Sequence, residues 1–486
     1  MRCAPCICAL ANGSAKEQLH SGIIHDFTVK SNSFLSLGAC RLKKRIVALV
    51  LGLGAILSLI ACGGSSAPKT RSGLPERVLA SQGISATLTF GGLVIVDGQN
   101  DTLPRAASLP AGTSPGLIVV SPTRDLAATF DVGTNTVFAV DTANESPLGN
   151  GIRLPGPSNS IVLPTASPAG FAAVPSATVN GFSFVGAVEA LSFATGSLST
   201  IAVSSAETVV SNSNGTQLLV FAADSDIVTV VNPVSAVPPV DTSCVDASPN
   251  PSVCTLIADP RLSRPVNAIV NGTTAYILNC GLQCGGAQPA SVAVFDLGSL
   301  KITQTIPVDA ARMALLSGST LYVAGTSPLT TNNDCTGQMW GTPPQQTAAT
   351  ICGRLDVVDL TSGTVTATAK ITDGYHDRMD LTNNGQLFIG SYGCTNIGDV
   401  NNPSGEVRGC LSIYKIADGS VLIPPDNGDV GGLQGFTTRY VEYVAEGGQL
   451  RVYDTTKDIL LINDFVPLGT IDIIGYVGDV KAIDFF

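Results

Sequence analysis

Charge is scarce in this 486-residue chain: Asp, Glu, Lys and Arg together make up 13% of it. Histidine numbers three, tryptophan one and methionine four. His20 and His25 both precede residue 61, so the remainder of the chain has His376 alone. A single histidine excludes a multi-histidine zinc centre and leaves room for at most one histidine-based triad. No stretch after residue 61 shows an apolar period of 3.6 residues with caps, which argues against a helical fold. One uncharged apolar run exists, Ile46 to Ile60. It is short for a bilayer span.

That run has informative flanks. Arg41, Lys43, Lys44 and Arg45 precede it, and Leu59-Ile60-Ala61-Cys62-Gly63 closes it. The order basic, apolar, small, Cys resembles a bacterial lipoprotein signal peptide with its lipobox. The resemblance implies cleavage before Cys62 and lipid attachment to its sulfur. Each acyl CH₂ contributes about 0.8 kcal/mol on burial, so two or more chains hold a folded domain at a bilayer. Residues 1–61 then form a leader and signal, with 1–40 lying ahead of where such signals begin and set aside from the fold. Gly63 does not resemble an inner-membrane retention signal, which favours the outer membrane or cell surface. A Gly/Ser/Pro-rich tether is expected over 62–82, followed by one folded domain over 83–486.

Charge and cysteine usage agree with export. Residues 1–61 carry a net charge of +5, leaving −16 for the rest of the total of −11. An acidic domain of that size repels nucleic acid and anionic membrane faces, so the expected partners are a protein or a small anionic ligand, with the membrane reached only through the lipid. Eight cysteines follow Cys62, an even number that reads as disulfides outside the cytoplasm. Pairing neighbours gives Cys244–Cys254, Cys280–Cys284, Cys335–Cys352 and Cys394–Cys410. Cys280 and Cys284 lack a second cluster at zinc spacing, so no metal or cofactor is expected there. A calcium ion in a central channel stays open.

Mean hydropathy is +0.33 with abundant Gly, Ala, Val, Ser and Thr, the profile of an exported β-rich protein. One unit recurs loosely: a β-branched strand ending in Asp. It reads Leu93 to Asp97, Val137 to Asp141, Val292 to Asp296, Leu355 to Asp359 and Leu450 to Asp454. Upstream of most copies lies a second apolar strand, preceded by Asn214-Gly215, Asn271-Gly272, Ser317-Gly318 or Asn384-Gly385. Such pairs supply the positive φ angles of hairpin turns. Four antiparallel strands per unit predict an all-β propeller of seven or eight four-stranded blades. Two stacked β-sandwiches are the alternative. The strand-Asp-turn pieces resemble the YVTN-type, WD40-like β-propellers, although Tyr-Val-Thr-Asn itself is absent. The last apolar segment, Gly478 to Asp484, has no partner after it. It is expected to complete the first blade with strands from 84–110, which removes the free sheet edges.

In a blade of strands A to D, the B–C and D–A connections emerge on one face. Three of the cysteine pairs fall in B–C connections of successive blades. The only tryptophan, Trp340, lies in one of them. Arg264, Arg312 and Arg378 are expected just before A strands, ringing the channel mouth, where planar guanidiniums suit a carboxylate or phosphate. Asp259, Asp309 and Asp377, in the same connections, offer local neutralisation instead. His376 reads as a solvated loop residue. The resulting reading is a binding or protein-interaction module. A hydrolase or lactonase-like enzyme using Asp373, His376 and Arg378 is the alternative.

Overall fold

The computed structural model describes residues 72–84, 89–104, 108–164, 169–177, 186–233, 242–244, 253–327, 339–340, 347–348, 352–394, 409–424, 428–456 and 467–484. The chain divides into two units, Met1–Pro68 and Lys69–Phe486, and all described residues belong to the second. Cys62 and the expected signal segment lie outside them.

Eight small antiparallel sheets form the blades of a β-propeller. Within each, strands are lettered A to D from the axis outward. The innermost strand of blade 1 is Val480–Ala482, from the end of the chain, and Arg77–Gln82, Gly92–Asp97 and Ser108–Pro110 follow it outward. Blades 2 and 3 span 115–153 and 160–202. Blade 4 comprises Ala206–Ser211, Leu218–Ala222, Ile227–Val231 and Cys254–Ala258. Blade 5 has Pro265–Asn271, Thr274–Asn279, Ser291–Asp296 and Lys301–Pro307. In blade 6 the strands are Met313–Ser317, Thr320–Ser327, Cys352–Asp359 and Thr364–Ile371. Blade 7 has Tyr375–Leu381, Gln386–Tyr392, Leu411–Lys415 and Val421–Leu422, and blade 8 spans 430–471. Thr242–Ser243 adds a short parallel fifth strand outside Ser197–Ala202 of blade 3.

The count is therefore eight, the upper of the two expected numbers, and the N- and C-terminal strands close blade 1 as anticipated. One boundary differs. The expected tether runs to residue 82, but Arg77–Gln82 is strand B of blade 1, with Val78 to Ala80 opposite Ala482 to Val480. The strand is short, and its inner partner comes from the far end of the chain, so no local repeat marks it.

The core explains why B and C strands are apolar on both sides. Every residue of Gly92–Asp97 and of Leu126–Asp131 is buried. Each blade packs face to face on the next, so both faces of its middle strands are covered. Eight separate apolar clusters result, and each is shared by two neighbours, from blades 1 and 2 around to blades 8 and 1. A large side chain such as Phe221 or Phe295 contributes about 1.5–3 kcal/mol to its seam on burial. A strands differ. Ala206–Ser211 repeats one buried and two half-buried positions, because part of each inner strand faces the channel.

The repeated Asp residues cap C–D turns. Asp296 Oδ1 accepts from the Ser299 N–H (2.6 Å), Asp359 Oδ1 from Thr361 (2.9 Å) and Asp454 Oδ1 from Thr456 (2.9 Å). At the A–B turns of blades 5 and 6, Gly272 and Gly318 take φ of 61° and 59°, where a side chain would be strained.

Candidate binding site at the channel mouth

The two ends of the ring are built differently. In blades 5, 6 and 7 the A–B connections are the short segments 272–273, 318–319 and 382–385. Their B–C connections are 280–290, 328–351 and 393–410. Cys280–Cys284 and Cys394–Cys410 are disulfide-bonded within two of these. Cys244–Cys254 is bonded on the opposite face, in the C–D connection of blade 4. Cys335 lies outside the described residues, as do the side chains of its expected partner Cys352 and of Trp340. Trp340's backbone pairs with Thr347 in a two-residue hairpin inside 328–351.

Two D–A connections end on arginine at this face. Arg264 ends 259–264 with a φ of 51°. Its N–H donates to Asp226 Oδ1 (2.8 Å), and its carbonyl accepts from the Cys280 N–H (2.9 Å). The backbone is thus pinned from two blades. The side chain is less constrained: Nη1 stands 4.0 Å from Asp224 Oδ1 and Nε stands 4.0 Å from Asp226 Oδ1. Nε has no hydrogen-bond partner among the described residues. Asp224 is 92% exposed, so water screens that attraction.

Arg312 ends 308–312. Its N–H donates to Ala324 O (2.8 Å), while the Asp309 N–H donates to Asp356 Oδ2 (2.6 Å). Asp356 is buried in strand C of blade 6. Burial, reinforced by the neighbouring Asp309 carboxylate, pushes its carboxyl up to about 7. The Arg312 guanidinium carbon lies 3.6 Å from the centroid of the Tyr375 ring. Tyr375 in turn packs on Tyr392, with centroids 4.6 Å apart. Among the described residues, the guanidinium's hydrogen-bonding contact is Cys284 Sγ, 3.6 Å from Nη1. Burial draws Arg312 below the usual arginine range, against the opposing pull of Glu207, Tyr392 and Asp377.

Between these arginines opens a cavity of about 180 Å³. Phe221, Ala222, Pro265 and Val266 give it apolar walls, Cys284 a sulfur edge, and Glu207 and the exposed Asp224 its carboxylates. A second cavity of about 590 Å³ opens among the A strands of blades 1 to 4 and 8, lined by Val119, Val162 and Lys481 among others. There the Lys481 ammonium already donates to Leu433 O (2.9 Å).

The structure brings Arg264 and Arg312 together but separates Arg378 from them. Arg378 stands within strand A of blade 7, at a bulge, rather than before it. Its Nε donates to Gly431 O (2.7 Å) and its Nη1 pairs with Asp377 (3.0 Å). Local neutralisation therefore describes Arg378 alone. Asp259 pairs with Arg261 (2.6 Å) and Asp309 lies 3.9 Å from Arg354, so neither serves Arg264 or Arg312. His376 is a correction too. It is 1% exposed in strand A of blade 7 rather than solvated in a loop. Its Nε2 lies 2.9 Å from Thr372 O, so that nitrogen carries the hydrogen, and burial pulls the ring's pKa down to about 4. Sequence reasoning passed over Glu207, Tyr375, Tyr392 and Asp356. Only Asp356 leaves a trace, as a carboxylate inside the apolar run Leu355 to Val358.

Among the described residues no group of three or more His, Cys, Asp or Glu side chains is placed to hold a metal. No protein-family model and no curated protein matches the sequence. The fold is similar to that of solved propellers. The dihydro-heme d1 dehydrogenase NirN, in complex with DHE, covers 86% of this chain and 77% of its own at 14% identity, with a TM-score of 0.51. The Dos1 propeller covers 75% and 85% at 9% identity, with a TM-score of 0.48. The Cps50 (Swd1) β-propeller domain of Myceliophteria thermophila covers 68% and 92% at 10% identity, with a TM-score of 0.42. Identities this low show shared architecture alone.

Proposed function

We propose that this chain is a lipid-tethered binding module of the bacterial cell envelope, held through Cys62, that engages its partner with the face formed by the B–C and D–A connections. One observation carries the reading: the long connections of blades 5 to 7, two of the three described disulfides and the two-arginine cavity all fall on that face. Loops on a rigid scaffold are where recognition concentrates, and bridging a loop lowers the cost of ordering it. The lipobox-like segment and the paired cysteines support a location outside the cytoplasm. The strand-Asp units support kinship with YVTN-type propellers. A net charge of −16 after residue 61 directs the module toward proteins or small anions rather than nucleic acid.

The enzymatic alternative relied on Asp373, His376 and Arg378. Burial of His376 against the Thr372 carbonyl, and of Asp373 beside it, gives that set no route to a substrate.

Replacing 395–408 by a Gly/Ser linker, with Cys394 and Cys410 kept, tests the face. The control replaces Thr361-Ser362-Gly363 on the opposite face. Quantitative cross-linking in intact cells is expected to lose its partner with the first variant and keep it with the second. Equal recovery with both, or equal loss, overturns the assignment. Labelled palmitate incorporation, abolished by Cys62→Ser, checks the tether separately.

A further inference from the structure

The cavity between Arg264 and Arg312 narrows the chemistry of what this face takes up. We propose that it binds a single small monocarboxylate with an apolar body, of the size of a benzoate or a branched short-chain acid. The inference rests on the recognition face proposed above and names a ligand for one part of it.

Charge gives the first argument. Arg312 is partly buried, and no described carboxylate lies within hydrogen-bonding distance of it. Taking an ion out of water without a partner is costly, and an anion in the cavity would remove that cost. Arg264 adds a second guanidinium whose Nε donor has no described partner. The Tyr375 ring covers a face of the Arg312 guanidinium. Its in-plane N–H groups remain to meet a planar carboxylate with the matching fork geometry.

Glu207 sets the valence. It lines the same cavity, and Asp224 and Asp226 flank the mouth. Against two guanidiniums, Glu207 alone leaves room for one added negative charge, because Asp224 and Asp226 are 92% and 54% exposed and water screens both. A dianion such as phosphate would face repulsion at close range. Size and polarity complete the case. A dry apolar cavity of about 150 Å³ holds a benzene ring, and this cavity measures about 180 Å³. Phe221 and Val266 offer an apolar body contact area and give a fully hydrated ion nothing to bond.

Calorimetric titration of the full-length protein with sodium benzoate and sodium 3-methylbutanoate tests the proposal, with benzamide and inorganic phosphate as comparators. At least one of the two acids is expected to bind saturably at one site. Benzamide and phosphate are expected to bind at least about tenfold more weakly, the loss of one charge-assisted contact. Arg312→Met is expected to abolish binding while the melting temperature holds, and Arg264→Gln to weaken it severalfold. No binding by either acid, equal binding of benzamide or phosphate, or binding unchanged in a folded Arg312→Met protein each overturns the proposal. Failure here leaves the loop-replacement result on the same face standing, so the two readings fall separately.

Discussion

The two faces of the ring use the same strands for different ends. On the A–B/C–D face, the A–B side of one blade bonds the C–D turn of the next. Arg439 in blade 8 pairs with Asp101 of blade 1 (2.7 Å), Gln386 Nε2 of blade 7 donates to Thr455 O of blade 8 (2.9 Å), and Gln217 Nε2 of blade 4 donates to Leu297 O of blade 5 (3.4 Å). This face fastens the ring. The B–C/D–A face carries the long connections of blades 5 to 7 and a cavity with incompletely paired charge. Two arginines, Arg77 buried and Arg312 partly buried, show the difference most sharply. Arg77 gives hydrogen bonds to Asp484 Oδ1 (2.6 Å), Glu145 Oε1 (3.0 Å) and Thr142 O (2.7 Å), joining the two strands that close blade 1 to blade 2. Those bonds, Asp484's first, hold its pKa above the usual arginine range. Arg312 has a ring, a sulfur and no carboxylate, and its pKa moves the other way. Burial of a charge thus means closure in one place and readiness for an anion in the other.

The largest expected effect comes from equal substitutions on the two faces. Arg77→Met leaves the buried Glu145 and the half-buried Asp484 without their shared cation, which costs about 3–5 kcal/mol. A thermal melt is expected to fall by several degrees. Arg312→Met removes a desolvated charge and is expected to leave the melt unchanged or raise it. Similar losses from both would erase the distinction.

A smaller effect concerns pH. Burial pushes Asp377 up to about 6, with Arg378, Asp479, Arg312 and Lys481 as its charged neighbours. A carboxyl whose folded pKa is raised favours the fold most below its unfolded value near 3.8, and this contribution is lost as pH rises through about 6. An anion at Arg312 disfavours ionised Asp377 further, so binding takes up a proton. Benzoate affinity is therefore expected to rise severalfold as pH falls from about 7.5 to about 5.5, a range in which benzoate itself stays ionised. Asp377→Asn should flatten that slope, and a slope that survives the substitution belongs to another group.

The smallest effect serves as a baseline. Arg261 is 43% exposed, and among the described residues its side chain bonds Asp259 beside it. Arg261→Ala is expected to change neither the melt nor benzoate binding, because exposed pairs contribute little. A measurable loss would show that surface charge, and not burial, decides these comparisons.

Much of this architecture is legible along the chain because it is local. The Asp that ends the C strand in five of the eight blades bonds N–H groups two or three residues ahead, and Asn271-Gly272 turns within its own hairpin. Cys280 and Cys284 are joined across four residues. The site was half visible. Arg264 and Arg312 could be placed at one mouth from strand order, whereas Arg378 was set one step too early, since a bulge between His376 and Arg378 extends the strand around it. Tyr375 and Glu207 carried no signal, since nothing nearby in sequence relates either to Arg312.

Alone, the sequence determined the all-β class, the repeating hairpins, the face on which each connection emerges and the neighbour pairing of the three described disulfides, because turns and short loops are closed by residues a few positions apart. Only the tertiary structure decided which charges are satisfied. Arg77 meets Asp484 across 407 positions, His376 is buried within its blade, and Arg312 meets a tyrosine from the next blade instead of a carboxylate. Such pairings follow from how the ring closes and the blades stack, and no local pattern of residues encodes that geometry.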